Sequence, residues 1–220
     1  MYRCLLMHIP DGYVDLPIAA VFAVAAGVAL TIAARRSGDR LEGSQAPLVG
    51  VTAAGIFAAQ MLNWPLPIPG GTSAHFVGGA FAGIVLGPHL GVLAMSAVVV
   101  VQALLFGDGG LTVLGANLFN MAVVEVYVGY AIFRLGRRWN DVGAAFVAGW
   151  VAAAAGAVGV AVQLGASAAF NYELLTVLAI MGGGHAVLGL IEGAITAVVY
   201  RSVVQSRPDV LPSATREVAV

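Results

Sequence analysis

The sequence predicts an all-α, polytopic integral membrane protein with about seven transmembrane helices. Hydrophobic residues make up 60% of the 220 residues and charged residues only 10%, with a mean hydropathy of +0.94. A soluble domain carries about 25% charged residues. Runs of about 20 apolar residues, the length that crosses a bilayer, recur along almost the whole chain. No length remains for a large soluble domain. The net charge of −1 gives no indication of nucleic-acid binding.

The apolar runs define seven spans in order along the chain. Their approximate bounds are Pro17 to Ala34, Ala46 to Leu62, His75 to Leu86, His89 to Phe106, Gly115 to Leu135, Val142 to Ala166 and Leu174 to Tyr200. The third span ends at Gly87-Pro88 and is too short to cross roughly 30 Å of hydrocarbon at about 1.5 Å per residue. Its flanks are therefore expected to enter the membrane or to be covered by protein.

The arginines orient these spans. All basic residues are arginine, and nine of the ten follow spans one, five and seven. They are Arg35, Arg36, Arg40, Arg134, Arg137, Arg138, Arg201, Arg207 and Arg216. Because cytoplasmic loops carry the excess of positive charge, the N-terminus is predicted outside and the C-terminus inside. Arg3 is the exception to this pattern.

Three polar segments then share the external face. They are the N-terminal stretch "MHIPDGYV" from Met7, the loop from Asn63 to His75, and the loop from Phe106 to Asn117. Irregular backbone enters a membrane protein only where protein covers it or where it lines a cavity. We interpret the three segments as one site built from loops.

His8 and His75 are the candidate metal ligands, because this topology places both on the external face and neutral imidazole is the commonest protein metal ligand. If translation starts at Met7, its free α-amine and the amide and ring nitrogens of His8 can chelate one ion, and His75 completes a four-nitrogen plane. Such a plane suits Ni²⁺ or Cu²⁺ better than Zn²⁺. If translation starts at Met1, Met7 is an internal residue and this chelate cannot form. The residues alone leave both alternatives open.

At four places the sequence resembles the CbiM/NikM family. These are "MHIPDGYV" from Met7, "NWPLPIPGGTSAHFVGGAFAGIVLGP" from Asn63, "QALLFGDGGLTVLGANLFNMAVV" from Gln102 and "IEGAIT" from Ile191. The family comprises the substrate-binding membrane (S) components of energy-coupling factor (ECF) transporters for cobalt and nickel. The resemblance implies seven helices, with the first residues inserted into the external face and the metal held by Met7, His8 and His75. It also implies that residues 1–6 are a misassigned start.

The resemblance also implies a division of the chain and a set of partners. The divisions are an extension (1–6), a metal-binding N-terminal segment (7–16), a transmembrane domain (17–203) and a cytoplasmic tail (204–220). The expected partners are a coupling transmembrane subunit, two ABC ATPase subunits and a small accessory membrane subunit, in a bacterial or archaeal plasma membrane. The "HIPDG" and "GTSAHFVGG" motifs favour Ni²⁺ as the imported ion, with Co²⁺ for cobalamin biosynthesis as the alternative. No organic cofactor is expected.

Several polar residues are candidates for supporting roles around the site. Asn117 and Asn120 share one helix face and are predicted to hydrogen-bond a ligand histidine or a loop, or to cap a helix. Thr72 and Ser73 orient His75 or cap span three, and His185 makes an interhelical hydrogen bond or supports the site. His89 is expected at an interface. Glu125 and Glu192 lie within spans, where a carboxylate is usually paired or functional. They are assigned structural or coupling roles.

Other function classes fit the sequence less well. No Walker loop is present, so ATP hydrolysis requires separate subunits and the chain itself is not an enzyme. A stand-alone channel or secondary transporter for divalent cations would show an inverted repeat with broken helices in both halves, and none is found. An intramembrane enzyme would need a nucleophile–base pair or a His-Glu-x-x-His helix, and neither is present.

Overall fold

A computed structural model of the protein describes residues 7–41, 45–62, 64–66, 72–169 and 173–212. In this part of the chain, seven apolar helices follow the seven predicted spans. Their bounds are α1 Leu16–Leu41, α2 Ala46–Gln60, α3 Gly79–Leu86, α4 Pro88–Phe106, α5 Leu114–Gly136, α6 Asp141–Ala166 and α7 Leu174–Ser206. All except α2 and α3 are long and apolar enough to cross a membrane. The predicted all-α class is confirmed, whereas the number of crossings and their orientation stay predictions.

The helices alternate in direction, so the bundle has two ends. The N-terminal segment (residues 7–15) and the loops before α3, after α4 and after α6 meet at one end, which we call the histidine end. The clusters Arg35–Arg36, Arg134–Arg138 and Arg201–Arg207 lie toward the other. At that end, the Asn140 side chain accepts the Gly143 N–H at 2.8 Å and begins α6. The arginine clusters of the described residues therefore lie away from the histidine end.

Two of the helices contain π-helical turns that periodicity did not predict. One ends α4 at Gln102–Phe106 and the other lies inside α5 at Leu118–Val124. They flank the loop that runs beside the N-terminal segment. π-helical turns shift the direction of the side chains that follow and are frequent at functional sites.

The loop before α3 is more ordered than the sequence predicted. Trp64–Leu66 (β1) pairs antiparallel with Thr72–Ala74 (β2), with Trp64 opposite Ala74. The third span was expected to begin at His75, but α3 begins four residues later, after Gly78 in a left-handed conformation with φ of +81°. His75 therefore lies in a short loop between a strand and a helix.

Packing between the helices depends on small residues. A Cβ atom on Gly129 of α5 would lie 2.5 Å from the Ala80 Cβ of α3, and one on Gly83 of α3 would lie 3.0 Å from the Val126 carbonyl oxygen. Two apolar clusters fill the interior. One contains Met7 and Ile9 together with residues from all seven helices, and the other lies toward the arginine end around Phe133 and Tyr200. The N-terminal segment is therefore part of the core.

Candidate metal centre

The N-terminal segment inserts into the histidine end of the bundle. Met7, His8 and Ile9 are 1%, 3% and 0% exposed. The Asn117 side chain accepts the Ile9 N–H at 2.8 Å and donates to the Ile9 carbonyl at 3.0 Å, which also accepts the Gly110 N–H at 2.8 Å. Because backbone groups buried in an apolar interior must be paired, these bonds fix the segment in depth and orientation. Asn117, a predicted supporting residue, thus binds the backbone next to His8.

Two aspartates attach the segment to neighbouring loops. Asp11 accepts the Leu111 N–H at 3.2 Å, the Thr112 N–H at 2.8 Å and the Thr112 hydroxyl at 2.5 Å. Asp15 accepts the Ala168 N–H at 2.9 Å, and its own N–H donates to the Ser167 hydroxyl oxygen at 2.9 Å. The segment is therefore bound to the loops after α4 and α6.

The loop after α4 follows the segment closely because it contains glycine. Gly109 has a φ of +95°, and a Cβ there would lie 2.9 Å from the Asn117 side-chain nitrogen and 3.6 Å from the His8 Cβ. The left-handed backbone and the lack of space both require glycine at this position. Asp108, the residue before it, places Oδ1 4.0 Å from His8 Nδ1.

His8 and His75 meet in the interior of this site. Their ring centroids are 5.1 Å apart, with the planes tilted by 45°. His75 Nδ1 lies 3.0 Å from the Phe76 carbonyl oxygen, which can only accept, so the proton is on Nδ1 and Nε2 carries a lone pair. His75 Nε2 and both ring nitrogens of His8 are buried and have no hydrogen-bond partner. The two rings therefore present three buried, unpaired nitrogen atoms.

Burial keeps both rings in the neutral form that binds metals. It lowers the pKa of His8 to about 3, with the neighbouring His75 lowering it further and Asp108 opposing the change. Burial likewise lowers the pKa of His75, against the effect of its bond to Phe76. Burial raises the pKa of Asp108, with His75 acting in the other direction. At neutral pH the rings carry no charge and protons compete weakly with a metal for their lone pairs.

Glu192 of α7 holds the loop that carries His75. Its carboxylate accepts the Val77 N–H at 3.0 Å and the Gly78 N–H at 2.9 Å, at the N-terminus of α3 where negative charge is favoured. His185, about two turns earlier on α7, bonds through Nδ1 to its own helix at the Met181 carbonyl, 2.9 Å away. His75, His185 and Glu192 line a cavity of about 30 Å³.

Two predicted supporting residues, Asn120 and Glu125, have other surroundings. The Asn120 side chain exchanges two 2.9 Å hydrogen bonds with the Gln163 side chain of α6. Its amide group is therefore bonded to Gln163 and not to a histidine. Glu125 is buried, and its Oε1 has no hydrogen-bond partner. Gly79 and Gly156 make room for it, since a Cβ on either would overlap its side chain. Thr72 and Ser73 form part of β2, but their side chains lie outside the described residues.

The side chains that the structure describes do not by themselves complete a metal site. Within the described ranges, no three His, Cys, Asp or Glu side chains form a cluster that could hold an ion. The donors that these residues present are the imidazoles of His8 and His75. The contribution of the Met7 amine and the His8 amide stays a prediction.

Comparison with known proteins decides the family. Residues 8–210 match a family model described as the cobalt uptake substrate-specific transmembrane region, CbiM. The chain belongs to the CbiM family. A putative metal transport protein of Haloquadratum walsbyi is 58% identical, over 93% of both chains. The fused nickel transport protein NikMN of Archaeoglobus fulgidus, itself putative, is 52% identical over 93% of this chain and 68% of its own.

A solved structure, the crystal structure of a transition metal transporter, superposes on this CbiM-family chain with a TM-score of 0.84. It is 32% identical, over 96% of both chains. Together with the five long apolar helices, these matches confirm the prediction of a multi-pass membrane protein.

Sequence reasoning missed several residues of the site. Asp11 and Asp15 were not assigned contacts, and Ser167 was not considered. Gln60 and Gln102 were assigned no role. The available signal was a polar residue inside an apolar run, because such a group has to find a partner within the bundle. That signal does not identify the partner, which can lie more than a hundred residues away, as Asp15 and Ser167 do.

Proposed function

We propose that the chain is the substrate-binding membrane component of an ECF-type ABC transporter that imports a divalent transition metal, with Ni²⁺ as the preferred ion. One observation carries the proposal: the buried rings of His8 and His75 lie 5.1 Å apart with unpaired nitrogen atoms. Burying such atoms without partners is costly, so a ligand that satisfies them is expected. The names of the relatives, metal and nickel transport proteins, support the same function.

The ligand set we propose is the α-amine of Met7, the amide and ring nitrogens of His8, and a ring nitrogen of His75. It requires a chain that begins at Met7, without residues 1–6. The amine titrates near pH 7.7–8.0, so a metal displaces its proton readily at neutral pH. Residues 7–16 then form the metal-binding segment, 17–203 the transmembrane domain and 204–220 a cytoplasmic tail.

Two considerations favour nickel. Four nitrogen donors in a plane suit Ni²⁺, and the 52% identical relative is named as a nickel transporter. Cobalt uptake for cobalamin biosynthesis is the alternative, because the description of the matching family model names cobalt uptake. In either case, the protein works in a prokaryotic plasma membrane with a coupling transmembrane subunit, two ABC ATPase subunits and a small accessory membrane subunit. These partners supply the ATP hydrolysis.

The test compares two forms of the purified protein, one beginning at Met1 and one at Met7, each verified by intact mass. Both are titrated with NiCl₂ and CoCl₂ by calorimetry and optical absorption. We expect the Met7 form to bind one Ni²⁺ per chain with the absorption of planar four-nitrogen coordination, and the Met1 form not to. Equal binding by both forms would refute the ligand set. No binding by either would refute the metal-binding function.

A further inference from the structure

Val77, two residues after His75, is held through both of its backbone groups. Its N–H donates to Glu192 of α7 at 3.0 Å, and its carbonyl accepts from the Gln60 side chain of α2 at 2.5 Å. Val77 and Gln60 are each 2% exposed and Glu192 is 6% exposed. Because side chains of two different helices bond to both backbone groups, they fix the backbone of a loop that has no regular structure of its own.

A third buried side chain extends this network. Gln102 of α4, fully buried, donates through Nε2 to the Gln60 side-chain oxygen at 2.7 Å. The oxygen of the Gln60 side chain thus binds Gln102, and its nitrogen binds the Val77 carbonyl. The two glutamines and Val77 therefore form one continuous chain of hydrogen bonds. The Gln102 backbone carbonyl accepts the Asp108 N–H at 3.1 Å, and the Asp108 carboxylate lies 4.0 Å from His8 Nδ1. The contacts thus run from the His75 loop to the loop that faces His8.

The physical consequence is rigidity at the position where a metal ligand needs it. Polar groups in an apolar interior lose several kcal/mol if unpaired, so a satisfied network adopts one arrangement. A ligand side chain must be held within about 0.5 Å of its productive position. Of the groups described around His75, the ring bond to Phe76 sets only its tautomer. The position of its backbone follows from Val77 and Gly78.

We propose that Glu192, Gln60 and Gln102 are positioning residues for metal binding: they hold the His75 loop so that the imidazole completes the coordination plane. The inference rests on the proposed function and extends it to three residues that do not touch the metal. It predicts that they control both the affinity for Ni²⁺ and the geometry of the bound ion.

The experiment measures Ni²⁺ affinity and the ligand-field absorption of bound Ni²⁺ for the chain that begins at Met7. Glu192→Leu removes both acceptors, Glu192→Gln keeps one acceptor oxygen, and Gln60→Leu removes the bond to the Val77 carbonyl. We expect affinity losses of about 10–100-fold for the two leucine variants and a smaller loss for Glu192→Gln. A changed absorption spectrum in all three is also expected, because the fourth nitrogen no longer lies in the plane.

Gln163→Leu is the matched control. It breaks an equally buried amide pair, with Asn120, that does not contact the His75 loop. We expect it to lower the unfolding temperature but to leave Ni²⁺ affinity and absorption unchanged. If Glu192→Gln and Gln60→Leu bind Ni²⁺ like the unchanged chain, the positioning role is refuted. If a leucine variant does not fold, the Ni²⁺ affinity and absorption of Glu192→Gln decide whether the positioning role holds. Failure of the unchanged chain to bind metal would refute the proposed function and this inference together.

Discussion

Several single polar residues at the histidine end bind backbone groups of distant segments. Asn117 pairs with both groups of Ile9, Glu192 with two consecutive amides, and Asp11 with two more. In each case a side chain distant in the sequence supplies the hydrogen-bond partner that a backbone group would otherwise find in a helix or sheet. Irregular segments can therefore lie inside an apolar bundle without unpaired groups. His8 and His75 differ because their ring nitrogens remain unpaired.

His75→Ala is expected to abolish high-affinity Ni²⁺ binding while the protein stays folded. The ring makes one described hydrogen bond, to the neighbouring Phe76 carbonyl, so its loss should change the free energy of unfolding by only about 1 kcal/mol. Calorimetric titration and thermal unfolding measure the two effects. One-to-one Ni²⁺ binding of undiminished affinity in this variant would contradict the site.

Asp11→Ala is expected to speed dissociation of bound Ni²⁺ several-fold, because it releases the N-terminal segment from Leu111 and Thr112. Stopped-flow exchange with a chelator measures this rate. Asp209→Ala, a change at an exposed aspartate of the arginine end, is the control and should leave the dissociation rate unchanged.

The same contact gives a pH dependence. Hydrogen bonds from the Thr112 hydroxyl and backbone lower the pKa of Asp11. A lowered carboxyl pKa contributes stability that is present above its unfolded value and is lost as pH falls through the folded one. The contribution should therefore be constant at neutral pH and begin to fall once the pH drops below about 4. A difference in the free energy of unfolding between wild type and Asp11→Ala that increased as the pH fell below about 4 would contradict this assignment.

At the scale of elements, the sequence predicts the helices better than the segments between them. Apolar runs give all seven helices, and Gly87-Pro88 marks the end of α3 because Gly87 has a φ of +81° and proline suits a helix start. The π-helical turns at Gln102 and Leu118 have no such signal, since one added residue per turn leaves an apolar run apolar. The contacts of the glutamines and aspartates depend on tertiary structure and could not be predicted.

Gly129→Ala is expected to destabilise the bundle by about 1–3 kcal/mol, because the added methyl group would overlap Ala80 and push α3 away from α5. Thermal unfolding in detergent measures the change. Gly183→Ala in α7 is the matched control, since a Cβ there has nothing within 4 Å. Equal unfolding temperatures for the two variants would show that α3 and α5 do not need this close contact.

For the whole molecule, the two ends of the bundle differ in chemistry. His8, His75, Asp11 and Asp15 lie at one end, and the described arginine clusters lie toward the other. Under the positive-inside rule the arginine end would face the cytoplasm, and this orientation stays a prediction. The metal site would then face outward, as uptake requires.

Cysteine labelling in intact cells tests this orientation. In a Cys4→Ser background, which removes the single native cysteine, Leu111→Cys and Trp139→Cys place thiols at opposite ends. These side chains are 55% and 73% exposed. A membrane-impermeant maleimide should label position 111 in intact cells and position 139 only after lysis. The reverse pattern would invert the topology, and labelling of both in intact cells would refute the number of crossings between them.

The attachment of the N-terminal segment has a consequence for biosynthesis. Asp15 bonds to Ser167, 152 positions further along the chain. At a synthesis rate of about 5–20 residues per second, this partner emerges from the ribosome roughly 8–30 seconds after the aspartate does. During that interval the first residues made have no binding place, and α1 must enter the membrane without them. The earliest part of the chain to be translated is thus among the last to reach its folded position.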